Sequence, residues 1–151
     1  MARHDAARYA DRSYASFVDE FHDRSRGVDA ADWVDLFEAA GARYVVPVTK
    51  HHDGFLLWHS RIPNPNPNRE RWMSEPDHIG RLAGAVRARG MHFGLYYSGG
   101  LDWTFSEPPI SDLASLVGNV PSSAAYGEYA TAHFHELIDR FAPDVLWNDI
   151  G

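Results

Sequence analysis

Three times along this chain, a segment with apolar residues at helical spacing ends at glycine or proline, and a segment of strand character starts almost at once. In the first unit Asp29 is placed to cap a helix carrying Trp33, Leu36, Phe37 and Ala40 on one stripe. Gly41 stops that helix, and Arg43 to Thr49 then runs nearly unbroken in apolar, β-branched character. The second helix is predicted from Pro76 to about Arg89, stops at Gly90, and leads into a strand from Met91 to Tyr97. The third runs from about Ala125 to Phe141, with Phe134, Leu137, Ile138 and Phe141 at helical spacing, and Pro143 separates it from a strand over Asp144 to Asn148. Trp33 and the Phe134/Leu137 stripe read as core. Strands that are apolar throughout are expected where both sheet faces are covered, so the repeated order predicts an α/β fold with a parallel sheet.

Loop lengths sharpen this reading. The helix-to-strand turns are short, whereas residues 61–75, rich in proline and asparagine, and residues 98–124 form long strand-to-helix loops. In parallel barrels the loops that follow the strands build the active site, and long loops inside compact domains are usually functional. Residues 1–27 are polar with scattered aromatics (Tyr9, Tyr14, Phe17, Phe21) and are expected to be an irregular N-terminal segment with a single helical turn.

Composition narrows the partners. At 151 residues and 44% hydrophobic the chain can build a core, and a net charge of −7 with no basic patch argues against nucleic acid or anionic lipid. There is no cysteine, which excludes disulfides and thiolate metal sites. The first residues lack the apolar run of a signal peptide and no stretch is suited to span a membrane, so a cytoplasmic location is expected. Nine His, five Trp and seven Tyr suit a cleft that holds something flat, apolar on one face and rich in hydroxyls, although they also fill ordinary cores.

Each predicted strand ends in residues fit for a site. The first runs into Lys50-His51-His52-Asp53-Gly54-Phe55, the second into Tyr96-Tyr97-Ser98-Gly99-Gly100, and the third into Trp147-Asn148-Asp149. Strand side chains alternate, so Val145, Trp147 and Asp149 share one face and Leu146 and Asn148 the other. An indole beside a carboxylate suits a sugar: the ring supports an apolar sugar face while the carboxylate attacks the anomeric carbon. Plainer readings compete. A lone aspartate at a strand end is more often a cap or turn residue, Tyr96 and Tyr97 are packing residues by default, and His51, His52 and Asp53 have the donor types that suit zinc or iron.

Three segments together resemble the retaining α-L-fucosidases of glycoside hydrolase family 29. They are Gly41 to Trp58 (GARYVVPVTKHHDGFLLW), Phe93 to Trp103 (FGLYYSGGLDW) and Pro143 to Asp149 (PDVLWND), in matching order and spacing. The resemblance, over roughly residues 14–151, implies a partial (β/α)8 TIM-like barrel, about half of one, occupying residues 28–151. It implies a retaining hydrolase of α-L-fucosidic linkages in a fucosylated glycan or small fucoside, with no cofactor and no metal, present here as a fragment lacking the general acid/base, so that the isolated chain is expected to be inactive or nearly so. Carried over by position, the nucleophile falls on Asp149, the histidines that bond sugar hydroxyls on His51 and His52, the pocket tyrosine on Tyr96, and the neighbouring indole on Trp147. The family's further pocket histidine and tryptophan lie upstream of this region, and its general acid/base glutamate and an arginine lie after Gly151. The segment Glu75 to Gly80 departs from the family in lacking the basic residue that precedes Asp77. A half barrel has unpaired strand edges, so self-association through them is expected. The alternatives are a non-catalytic carbohydrate-binding remnant using His51, His52, Tyr96 and Trp147, and a metal-dependent barrel hydrolase using His51, His52 and Asp149.

Overall fold

In the computed structural model, which describes residues 9, 12–69, 72–105 and 112–149, helices α1 (Phe17–Ser25) and α2 (Ala30–Ala39) precede two short strands, β1 (Tyr44–Val45) and β2 (Val48–Lys50). Helix α3 (His78–Ala88) leads into β3 (His92–Ser98), and helices α4 (Leu113–Gly118) and α5 (Ala124–Phe141) lead into β4 (Val145–Asp149). All pairings between these strands are parallel. β3 lies in the middle, with β1 and β2 end to end along one side and β4 along the other. The expected α/β fold with a parallel sheet is present, and the helix stops fall where glycine predicts: Gly41 and Gly90 both adopt the left-handed conformation.

The single strand expected over residues 43–49 is two, because Pro47 has no N–H to give to a ladder. Pairing with β3 nevertheless continues across the break, since Tyr96 N–H donates to the Pro47 carbonyl at 2.9 Å. Burial of this sheet is also one-sided rather than two-sided. Phe93, Leu95 and Tyr97 are fully buried under the helices, whereas Tyr44, Val48, Val145 and Trp147 on the opposite face are exposed.

Helix faces differ from expectation for a related reason. On α2 the spacing offers two overlapping apolar stripes, and packing against α3 selects the one through Ala30, Val34 and Phe37. Val34 is fully buried, while Trp33, expected in the core, is 53% exposed and Leu36 and Ala40 face outward. Arg89 fixes that choice by pairing with Asp35 and Glu38. On α5 the buried stripe is Tyr126, Tyr129, Ala130, His133, Leu137 and Phe141; Phe134 is only partly buried and Ile138 is exposed. In the N-terminal segment, α1 replaces the single turn expected there. Nine residues make a marginal helix alone, and this one is held by Phe21 packing edge-on to Phe55 at 5.5 Å and by His22 Nε2 hydrogen-bonded to the Met73 carbonyl at 3.1 Å. Among the described residues no helix is long and apolar enough to cross a membrane.

His133 is a buried titratable group on α5. It is fully buried between the rings of Trp58 and Tyr129, with Nδ1 against the Tyr97 hydroxyl at 2.9 Å. Burial drives its pKa down from 6.5 to about 3, with the Glu136 charge opposing and the Lys50 charge reinforcing. The folded chain therefore holds His133 neutral, and the unfolded chain binds the extra proton below pH 6.5. Stability present above that pH is lost as pH falls toward 3, at about 1.4 kcal/mol per unit. Urea melts at pH 6.5 and pH 5 are expected to differ by about 2 kcal/mol from this group. His133→Asn, which keeps an acceptor near the Nδ1 position but does not titrate, is expected to remove most of that difference; an unchanged slope would reject the assignment.

Candidate active site

The parallel ladder of β3 and β4 builds one wall of the site. Its register pairs Tyr96 with Trp147 and Ser98 with Asp149, so alternation puts Tyr96, Trp147 and Asp149 on the open face of the sheet. The Tyr96 hydroxyl donates to Asp149 Oδ2 at 2.6 Å, and the Trp147 ring stands edge-on to Tyr96 at 6.1 Å. The Asp149 carbonyl accepts from both Gly99 and Gly100 N–H at 3.2 Å, which ties the tip of β4 to the loop after β3. A Cβ at Gly99 would fall 2.1 Å from Asn148 Oδ1, so any larger residue there displaces the Asn148 side chain. Trp147 is 58% exposed and presents a free aromatic face.

The other wall comes from the end of β2. His51 and His52 stack on each other at 4.1 Å and 27°, and His51 also stacks on Tyr96 at 5.9 Å and 14°. All five expected site residues therefore lie in one cluster, joined ring to ring or by hydrogen bond. His52 Nε2 is buried and has no hydrogen-bond partner among the described residues. Burial lowers the His52 pKa, helped by the His51 charge and opposed by Asp149, which favours the neutral ring. Burial, then the hydrogen bond and charge of Asp149, push Tyr96 up to about 12. Tyr96 is thus a proton donor to Asp149 through the neutral range, and only Asp149 Oδ1 is left free of this bond.

Asp53 does not join the histidines in the way a metal site requires. Its carboxylate accepts from the Tyr14 hydroxyl at 2.6 Å and from Phe55 N–H at 3.0 Å, which makes it a turn residue that anchors the N-terminal segment. Among the described residues no group of three or more His, Asp or Glu converges as a metal centre would need. A reading of the sequence misses the buried pair beneath the histidines, Lys50 and Asp102, and the hydrogen bond from Trp103 N–H to the His52 carbonyl at 2.8 Å. One signal was available: a lysine within an apolar strand and an aspartate after Gly100-Leu101 are both placed where solvent is scarce.

The chain matches, over residues 1–151, the family model described as Alpha-L-fucosidase. The tissue α-L-fucosidase of Homo sapiens is 34% identical over 151 residues, covering 91% of this chain and 28% of that protein. The crystal structure of Thermotoga maritima α-fucosidase superimposes with a TM-score of 0.87 at 40% identity, covering 99% of this chain and 35% of that one. The same enzyme in complex with fucose gives a TM-score of 0.86 at 42% identity, with 99% and 35% covered. The chain thus spans 28% of the length of the curated relatives it first matches.

Proposed function

This chain belongs to the α-L-fucosidase family, and from that premise we propose that it supplies the nucleophile and part of the sugar pocket of a retaining α-L-fucosidase. The observation that carries the reading is the hydrogen bond from Tyr96 to Asp149 Oδ2, which holds one carboxylate oxygen and leaves the other free of that bond. In this reading residues 28–151 are part of a (β/α)8 barrel catalytic domain. The one-sided pairing of β1 and β4 with β3 supports a sheet that continues past these strands.

The chemistry follows from the positions. Asp149 Oδ1 attacks the anomeric carbon from the face opposite the leaving oxygen, and the C–O bond to the aglycone breaks as a fucosyl ester forms. A second carboxyl group must protonate the departing oxygen and later activate water to cleave the ester. None of the site residues described above is assigned that role. The exposed His51 ring lies beside Tyr96 where a ring hydroxyl could pair with it, and the exposed indole of Trp147 suits the apolar face and methyl group of a 6-deoxy sugar. A site built to pair a hydroxyl rejects an epimer that leaves it unpaired.

The test is stereochemical. When a longer protein that carries this chain together with a second carboxyl group is given 4-nitrophenyl α-L-fucoside, proton NMR is expected to show α-L-fucose as the first product, followed by slow mutarotation. β-L-Fucose appearing first would mean a single displacement by water and would remove Asp149 as nucleophile.

A further inference from the structure

The two histidines reach the sugar pocket through an irregularity in β2. Register pairs Val48 with Tyr96 but Lys50 with Tyr97, so two steps on β2 oppose one step on β3. Val48 lies on the open face with Tyr96. Regular alternation from Val48 would put Lys50 on that open face too, and would turn His51 under the helices. A one-residue slip moves every following side chain to the other face, and the bulge is such a slip. Lys50 turns inward instead, fully buried, and His51 emerges on the open face stacked on Tyr96.

What holds the bulge is an ion pair sealed from water. Lys50 Nζ donates to Asp102 Oδ2 at 3.0 Å and to the Leu101 carbonyl at 3.1 Å, and lies over the Tyr97 ring at 4.8 Å. Both side chains of the pair are completely buried. The other oxygen of Asp102 accepts from Thr104 N–H at 2.9 Å and from the Thr104 hydroxyl at 2.6 Å. The same loop returns to the histidines, since Trp103 N–H donates to the His52 carbonyl at 2.8 Å. Gly54 closes the arrangement: its φ is +73°, and a Cβ there would fall 2.6 Å from Asp102 Oδ1. The loop after β2 and the loop after β3 are thus joined at three successive points. A buried ion pair is a poor source of net stability, because desolvating two charges offsets most of their attraction, and a well-packed apolar pair can serve as well. What apolar packing lacks is direction, and direction is what a bulge carrying two ligating rings needs.

We propose that Lys50 and Asp102 are positioning residues for the sugar pocket: their buried pair pins the β2 bulge and so fixes where His51 and His52 stand relative to Tyr96 and Asp149. Neither residue touches substrate in this arrangement, and the role as a sugar pocket rests on the fucosidase reading above.

The experiment uses the double variant K50M/D102N, which keeps volume and shape while removing both charges, in the 151-residue chain. NMR would follow the ring resonances of His51 and His52 and the ring-to-ring nuclear Overhauser contact between His51 and Tyr96, and calorimetry would follow L-fucose. The expected result is a folded chain in which that contact is lost, the histidine ring shifts move toward unstructured values, and L-fucose binds about tenfold more weakly. Val34→Ala, a core change far from the pair, is the control: it lowers the melting temperature without moving the histidine rings. Should K50M/D102N not fold, D102E keeps both charges paired but lengthens one arm by a methylene, which shifts the bulge without leaving a lone buried charge, and is read the same way. Histidine rings that keep their shifts and their contact with Tyr96 once the ion pair is gone would overturn the proposal, even if L-fucose binds normally. Rings that move in a chain showing no heat with L-fucose would uphold the positioning role and reject the sugar.

Discussion

Replacing Asp149 with alanine is expected to lower turnover of 4-nitrophenyl α-L-fucoside by about 10⁴-fold while leaving substrate affinity nearly unchanged, because the lost interaction exists only as the new bond forms. The geometry also predicts a rescue. Removing the carboxylate opens a small space beside the Tyr96 hydroxyl, which stands 2.6 Å from Asp149 Oδ2 in the parent chain. Azide is a small anion of the right charge for that space, and it can attack from the face the carboxylate has vacated. Added azide is then expected to restore release of nitrophenol and to yield β-L-fucosyl azide, inverted at the anomeric carbon. Turnover that survives Asp149→Ala without azide would place the nucleophile elsewhere. An α-configured azide product would contradict the direction of attack.

Trp58→Ala is expected to cost about 4 kcal/mol of folding stability, a large share of the roughly 5–15 kcal/mol that holds a domain together. Trp58 is fully buried in the cluster that also holds Leu95, Tyr97 and Leu137, and its ring meets His133 at 4.9 Å. Truncation leaves a cavity that no neighbouring backbone can fill. Its indole N–H also donates to Glu136 Oε2 at 2.9 Å. Trp58→Phe separates the two effects. Glu136 keeps the Ser60 hydroxyl and Arg61 N–H, both at 2.7 Å, so losing the indole donor while keeping most of the ring is expected to cost only about 1–2 kcal/mol. Chemical denaturation of both variants at pH 7.5, above the range in which His133 titrates, checks the ratio. Equal losses would mean that the hydrogen bond, not the volume, carries the residue's contribution.

The face assigned to Trp33 illustrates how far local spacing reaches. A period of 3.6 residues is visible in Trp33, Leu36, Phe37 and Ala40, but it is also visible in Ala30, Val34 and Phe37. Nothing in the segment itself chooses between them, and α3 chooses the second. His133 was similarly passed over on α5, because a histidine counts as polar until a particular set of rings and a tyrosine hydroxyl surround it. The nine-residue helix α1 left almost no mark, since its apolar positions are few and its partners, Phe55, Met73 and His78, lie far along the chain.

The sequence by itself determined the order of the three main helix-then-strand units, the glycine stops, the parallel α/β class, and the alternation that sets Trp147 and Asp149 on one face with Leu146 opposite, but not α1, nor α4 within the expected 98–124 loop, nor the break at Pro47. It also determined, through three short motifs, which five side chains would cluster. These features depend on bond geometry and on periods of two and 3.6, which act between near neighbours and are written into any stretch of chain. Only the tertiary structure decided that Lys50 would turn inward, that a bulge would carry His51 to Tyr96, and that Asp102, 52 residues away, would hold it there. A buried charge is tolerated only where a partner of opposite sign arrives from another segment, and that arrival is a property of the assembled sheet and loops rather than of either segment alone.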